Sequence, residues 1–212
     1  MTENEQVAIE IEPAPLERGL RWAPIPGSET QRLLERKRIR LDAREAIKQE
    51  ALRILGHCAP PTAREAPHTE LVLGYVQSGK TLSFTTVAAL ANDNGYRLII
   101  VVSGTTKELA EQSRDRLVED LGIESTDIPF PKWIHLHNPS SGNLDEVRGA
   151  LRDWESDLVP SEDRRVVLVT ILKNYQRVAE LTELLRLLGH DADVPALIID
   201  DEADQASLNN LV

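Results

Sequence analysis

Two hydrophobic patterns alternate along the chain. Residues 71–73, 97–102, 133–137, 166–170 and 196–199 are short, nearly continuous apolar runs rich in Val, Ile and Leu. Such runs fit strands buried on both faces. Between them, near 81–94, 105–121, 143–157 and 173–188, the pattern is helical. Strand and helix in regular alternation predict β-α-β units and a parallel sheet between helices. No internal repeat or low-complexity tract is present.

The first quarter of the chain reads differently. Residues 1–27 hold Pro13, Pro15, Pro24 and Pro26 among acidic and small residues, which predicts an extended, poorly ordered arm. Ser28-Glu29-Thr30-Gln31 has the form of a capping box, and neither Pro nor Gly follows until Gly56. One long helix over 28–58 is therefore expected. Its Arg32, Arg36, Lys37, Arg38, Arg40 and Arg44 make a basic stretch, read first as a solvated face and second as a surface for nucleic acid or an acidic partner. Residues 59–68 read as a proline-bounded linker to a lobe spanning 69–212.

Composition narrows the class. The formal net charge of -11 excludes gripping nucleic acid by bulk charge, so any such groove must be local. Cys58 is the one cysteine, which rules out an internal disulfide and fits a reducing compartment. The N-terminus lacks the basic start and apolar stretch of a signal peptide, and no run approaches the roughly 18 apolar residues of a membrane span. A cytoplasmic protein without membrane contact is expected.

The chemistry lies in two motifs. Gly74-Tyr75-Val76-Gln77-Ser78-Gly79-Lys80-Thr81 completes the pattern Gly-x-x-x-x-Gly-Lys-Thr between an apolar run and a helix. Gly74 and Gly79 permit the tight backbone path, and the amides around Gln77 and Ser78 surround phosphate oxygens at a helix N-terminus. Lys80 reaches the outer phosphates of the nucleotide, and the Thr81 hydroxyl ligates Mg2+. The second motif, Asp200-Asp201-Glu202-Ala203-Asp204, ends the last apolar run. In a P-loop protein an Asp there holds the metal and the Glu next to it activates water. Asp201 with Glu202 is the favoured pair, and Asp200 the other metal candidate. Lys80 and Glu202 are the candidate catalytic residues.

These residues carry a resemblance. Asp201-Glu202-Ala203-Asp204, Ser78-Gly79-Lys80-Thr81 and Thr106-Lys107-Glu108-Leu109-Ala110-Glu111-Gln112 resemble, in order, three motifs of the DEAD-box group of superfamily 2 helicases. The longer strings, Gly74 to Thr81 and Asp200 to Asn209, are most similar to the bacterial Z-one domain endonuclease family, whose helicase-like ATPase section precedes the domain that names it. The resemblance covers residues 68–210 and implies a RecA-like P-loop lobe that binds ATP and Mg2+ and serves DNA restriction or repair. It also implies that Thr105, Thr106 and Lys107, with Thr170, Lys173 and Asn174 as weaker candidates, meet the backbone of a nucleic acid, DNA being favoured. Thr105 to Glu108 also fits a plain capping box. Because the sequence stops at Val212, directly after the acidic motif, the resemblance further implies a second ATPase lobe or a C-terminal nuclease-like region outside it, with hydrolysis requiring both lobes. The competing reading is a nucleotide-dependent P-loop switch module without translocation.

Two other pairs attract less weight. His135 and His137 share one face of a strand but lack a third ligand at metal spacing. His57-Cys58 has no group to orient it for nucleophilic chemistry.

Overall fold

Four of the five apolar runs become strands in the computed structural model, which describes residues 19–37, 39–63, 68–72, 80–125, 132–161, 163–201 and 203. In chain order these residues form α1 (Ser28–Arg36), α2 (Leu41–His57), α3 (Lys80–Asp93), β1 (Leu98–Ser103), α4 (Lys107–Leu121), β2 (Trp133–His137), α5 (Leu144–Arg152), β3 (Val166–Leu172), α6 (Tyr175–Leu188) and β4 (Ala196–Asp200). The fold is mixed α/β, with six α-helices and one parallel sheet of order β2-β3-β1-β4 among the described residues.

The sheet has a core on each face. On one, Ile99, Val101, Val166, Leu168 and Leu197 pack against Leu33 of α1, Leu55 of α2, Leu90 of α3 and Leu117 of α4. On the other, Ile100, Val167 and Val169 pack against Val147 and Leu151 of α5 and Leu181 and Leu184 of α6. This double burial is why β1 and β3 read as unbroken apolar runs rather than alternating ones. The connection through α4 crosses one face in one direction, whereas those through α5 and α6 cross the other face in the opposite direction. Right-handed crossovers require that pairing of face and direction. β1 and β3 are thus neighbours whose following helices leave to opposite faces, and the crevice beyond their carboxyl ends is where open α/β sheets take ligands. Beyond β4 no further strand pairs among the described residues, and Ile198 of β4 is 65% exposed.

Several expectations for the N-terminal part are corrected. The single helix is two, α1 ending at Arg36 and α2 beginning at Leu41, and at the end of α1 both Arg36 and Lys37 reach the end of α4. Arg36 donates to the Asp120 carbonyl at 3.3 Å, and Lys37 pairs with the buried Asp120 carboxylate. These cations complement the partial negative charge of a helix C-terminus, so part of the basic stretch is spent inside the fold. Both helices join the main core rather than standing apart from it.

The Ser28 capping box does not form: the N-cap is Gly27, without a side-chain cap. The Asp93 carboxylate, at the end of α3, instead accepts from the amides of Gly27, Glu29 and Thr30 at 2.8 to 2.9 Å. Residues 19–27 are no loose arm either. Trp22 donates its indole N–H to the carbonyls of Leu55 and Cys58, and Asn94 exchanges hydrogen bonds with the backbone of Ile25. Residues 1–18 lie outside the described residues.

The expected strand at 71–73 is also absent where it can be seen. Leu71 and Val72 are irregular and exposed, and Leu73 lies outside the described residues.

Candidate functional site

α3 begins at Lys80, the motif lysine, and after a short turn the chain enters β1 at Leu98. At about 1.5 Å per residue the helix is roughly as long as the strand it precedes. Packed on the sheet and joined to β1 by a short turn, it runs antiparallel to that strand and so starts from the side of the strands' carboxyl ends. α4 and α6 begin at the same edge. Three helix N-termini, each with partial positive charge, thus face the side on which β4 reaches its acidic end; those of α4 and α6 are capped by Thr106 and Asn174.

Gly74, Gln77, Ser78, Gly79 and Glu202 lie outside the described residues. Thr81 sits half-buried in the first turn of α3, where its carbonyl accepts from Thr85 Oγ1 at 2.6 Å. Asp201 is half-buried, and its N–H donates to the Val102 carbonyl at 2.9 Å, which carries the β1 to β4 pairing one residue past the strand. Asp200 is exposed at the end of β4 and accepts from Lys173 Nζ at 2.7 Å. The sequence assigned Asp200 to a metal and Lys173 to nucleic acid; the fold joins them to each other. Lys173 N–H also donates to the Gly104 carbonyl at 2.9 Å, tying the turn after β3 to the end of β1.

The remaining candidates divide. Thr105, Thr106 and Lys107 are exposed at the head of α4. Thr106 is its N-cap, accepting from the Leu109 amide at 3.4 Å, so the cap falls one residue later than the Thr105 to Glu108 pattern suggested. Thr170 cannot meet a phosphate: it is fully buried and both neighbouring histidines engage its hydroxyl. Asn174 caps α6 by accepting from the Arg177 amide at 2.9 Å.

The sequence reading missed Asn138, which follows β2. Its φ of 49° is left-handed, a conformation that Asn adopts more readily than most residues. The side-chain oxygen accepts from the Leu172 amide at 2.9 Å, the amide nitrogen lies 2.8 Å from His137 Nε2, and the backbone N–H donates to the Thr170 carbonyl. An Asn directly after a predicted strand was the available signal. His137 Nδ1 and His135 Nε2 then converge on Thr170 Oγ1 at 3.0 and 2.9 Å. Burial, with His137 and Arg114 beside it, pushes the pKa of His135 down to about 4. His137 is also lowered, by burial first and then by Arg114.

Among the described residues no group of three or more His, Cys, Asp or Glu is placed to hold a metal ion. Comparison with protein-family models, with curated proteins and with solved structures finds no match to this chain. The chemistry of the edge follows from its own groups: helix N-termini suited to an anion, an ammonium–carboxylate pair, and a further carboxylate in Asp201.

Proposed function

We propose that the chain is the ATP-binding, RecA-like N-terminal lobe of a nucleic-acid-directed, helicase-like ATPase of the Z-one endonuclease type, cytoplasmic and serving DNA restriction or repair. One observation carries the reading. The helix that opens at Lys80 of the Gly-x-x-x-x-Gly-Lys-Thr motif packs on the same core as β4, the strand that runs into Asp200 and Asp201. A phosphate cradle at a helix N-terminus with an acidic strand end beside it is the arrangement that phosphoryl transfer uses.

In this reading the backbone of residues 74–79 and Lys80 hold the phosphates. Thr81 and Asp201 would hold Mg2+, which would neutralise phosphate charge, and Glu202 would orient the attacking water. Asp200 fits the metal less well because Lys173 already occupies its carboxylate. The exposed Thr105 and Lys107 are the nucleic-acid contacts, in keeping with a local rather than global positive surface. Turnover belongs to this lobe together with a second one outside the present sequence.

Calorimetric titration of the chain with ATP, with and without Mg2+, tests the proposal. Saturable, Mg2+-dependent binding that disappears in Lys80→Ala is expected. Failure of the unaltered chain to bind, or binding that survives Lys80→Ala, would overturn it.

A further inference from the structure

The polar groups between the ends of β2 and β3 form a chain whose donor directions, from Leu172 through Asn138 and His137 to Thr170, are determined by one backbone amide. Leu172 N–H can only donate, so the Asn138 atom facing it is Oδ1. That orients Nδ2 towards His137, where it donates to Nε2 at 2.8 Å. A neutral His137 must then carry its proton on Nδ1, which donates to Thr170 Oγ1 at 3.0 Å. The Thr170 hydroxyl lies 2.9 Å from His135 Nε2 and, with two lone pairs, can give its hydrogen to that ring or accept from it. His137 is thereby assigned the Nδ1–H tautomer.

The two histidines respond differently to a proton. Protonating His135 requires at most that the Thr170 hydroxyl turn, since its oxygen has two lone pairs and can accept from both rings. Protonating His137 at Nε2 sets an N–H against the N–H of Asn138, and the bond between them is lost. Asn138 can then make that contact only by turning its oxygen to His137, which takes the acceptor away from Leu172. Leu172 adjoins Lys173, which holds both the Gly104 carbonyl and Asp200.

We infer that His137 and Asn138 form a proton-operated latch between the turns after β2 and β3. With His137 neutral the latch holds Leu172 and Lys173 in place; protonation at Nε2 opens it. Charged groups face the pair from both covering helices: Glu111, Arg114 and Asp115 of α4, and Arg177 of α6. Arg114 and His135 line one open groove, so protons have a route to the inner ring. The latch acts on the Lys173–Asp200 pair whatever ligand that edge takes, and it does not depend on nucleotide binding.

Nitrogen-15 NMR of the histidine rings, together with hydrogen exchange at the Leu172 amide, tests the latch. At neutral pH His137 is expected as the Nδ1–H tautomer. As His137 titrates, Leu172 should exchange about tenfold faster or more, after correction for intrinsic exchange. Asn138→Asp supplies an acceptor in place of the donor and adds a negative charge, so it should raise the His137 pKa by about one unit or more. Aspartate tolerates the left-handed backbone of that site. An Nε2–H tautomer at His137, or a Leu172 amide indifferent to its titration, would overturn the inference even if Asn138→Asp did not fold. A folded Asn138→Asp with an unmoved His137 pKa would do the same.

Discussion

Lys173, in the turn after β3, sets its ammonium 2.7 Å from the Asp200 carboxylate at the end of β4, across the end of β1, the strand that separates them. The pair neutralises Asp200 with a side chain of its own fold, and the N–H of Asp201 continues the strand pairing to Val102. Asp201→Asn is therefore expected to abolish the Mg2+ dependence of nucleotide binding, and Asp200→Asn to leave it within a few-fold. Calorimetry at fixed ATP and varied Mg2+ separates the two, and the reverse ranking would reassign the metal ligand. Because Asp200 is 39% exposed, a double-mutant cycle on the pair should return a coupling of only about 1 kcal/mol or less.

Asp93 caps a helix that begins far from it in sequence. Three backbone amides of residues 27, 29 and 30 lose their acceptor in Asp93→Ala. Unsatisfied helix-start donors predict a loss of about 2 kcal/mol or more. Urea unfolding measures the loss. Exchange confined to Gly27 to Thr30 should rise even where the global fold persists, and unchanged stability with unchanged exchange would refute the cap.

Gly104 joins β1 to α4 with φ +59°, and a Cβ there would stand 2.8 Å from the Ala110 nitrogen. A side chain meets both an unfavourable backbone and a rigid neighbour. Gly104→Ala should cost about 1 to 3 kcal/mol and displace the head of α4. A denaturation midpoint equal to that of the unaltered chain would show that the turn relaxes without cost.

The two histidines make stability depend on pH with a definite sign. The folded-state pKa of His135, about 4, lies below its ordinary value of 6.5, and His137 shifts in the same direction. As pH falls, the unfolded chain takes up protons first. The stabilisation from neutral rings is complete above about pH 6.5 and is lost progressively towards pH 4. Denaturation midpoints between pH 7.5 and 5, where most carboxylates stay ionised, should fall with acidification, and His135→Gln should flatten that slope. A midpoint constant across this window would contradict the buried neutral ring.

What was legible in the sequence and what was not follows from the range of the interactions. β1 and β3 announce themselves because burial on both faces demands unbroken aliphatic runs, and the helices between them keep a helical period. The break between α1 and α2 carries no Pro or Gly. The groups met there, through Arg36 and Lys37, belong to Asp120, some 80 residues along the chain. The Ser28 motif misled for the same reason, since a local cap lost to Asp93. Strand order and the Lys173–Asp200 pairing depend on which crossovers pass over which strands. The histidines could be seen to share a face, but the threonine that joins them belongs to the neighbouring strand.

One exposed side chain bears on how the molecule behaves in solution. Ile198 lies on β4, whose outer edge is unpaired among the described residues, and bare apolar edges attract strands of other molecules. The net charge of -11 opposes such meetings only over the range that salt permits, about 10 Å at 0.1 M and 3 Å at 1 M. Light scattering is therefore expected to grow as salt is raised, and Ile198→Lys to suppress the growth.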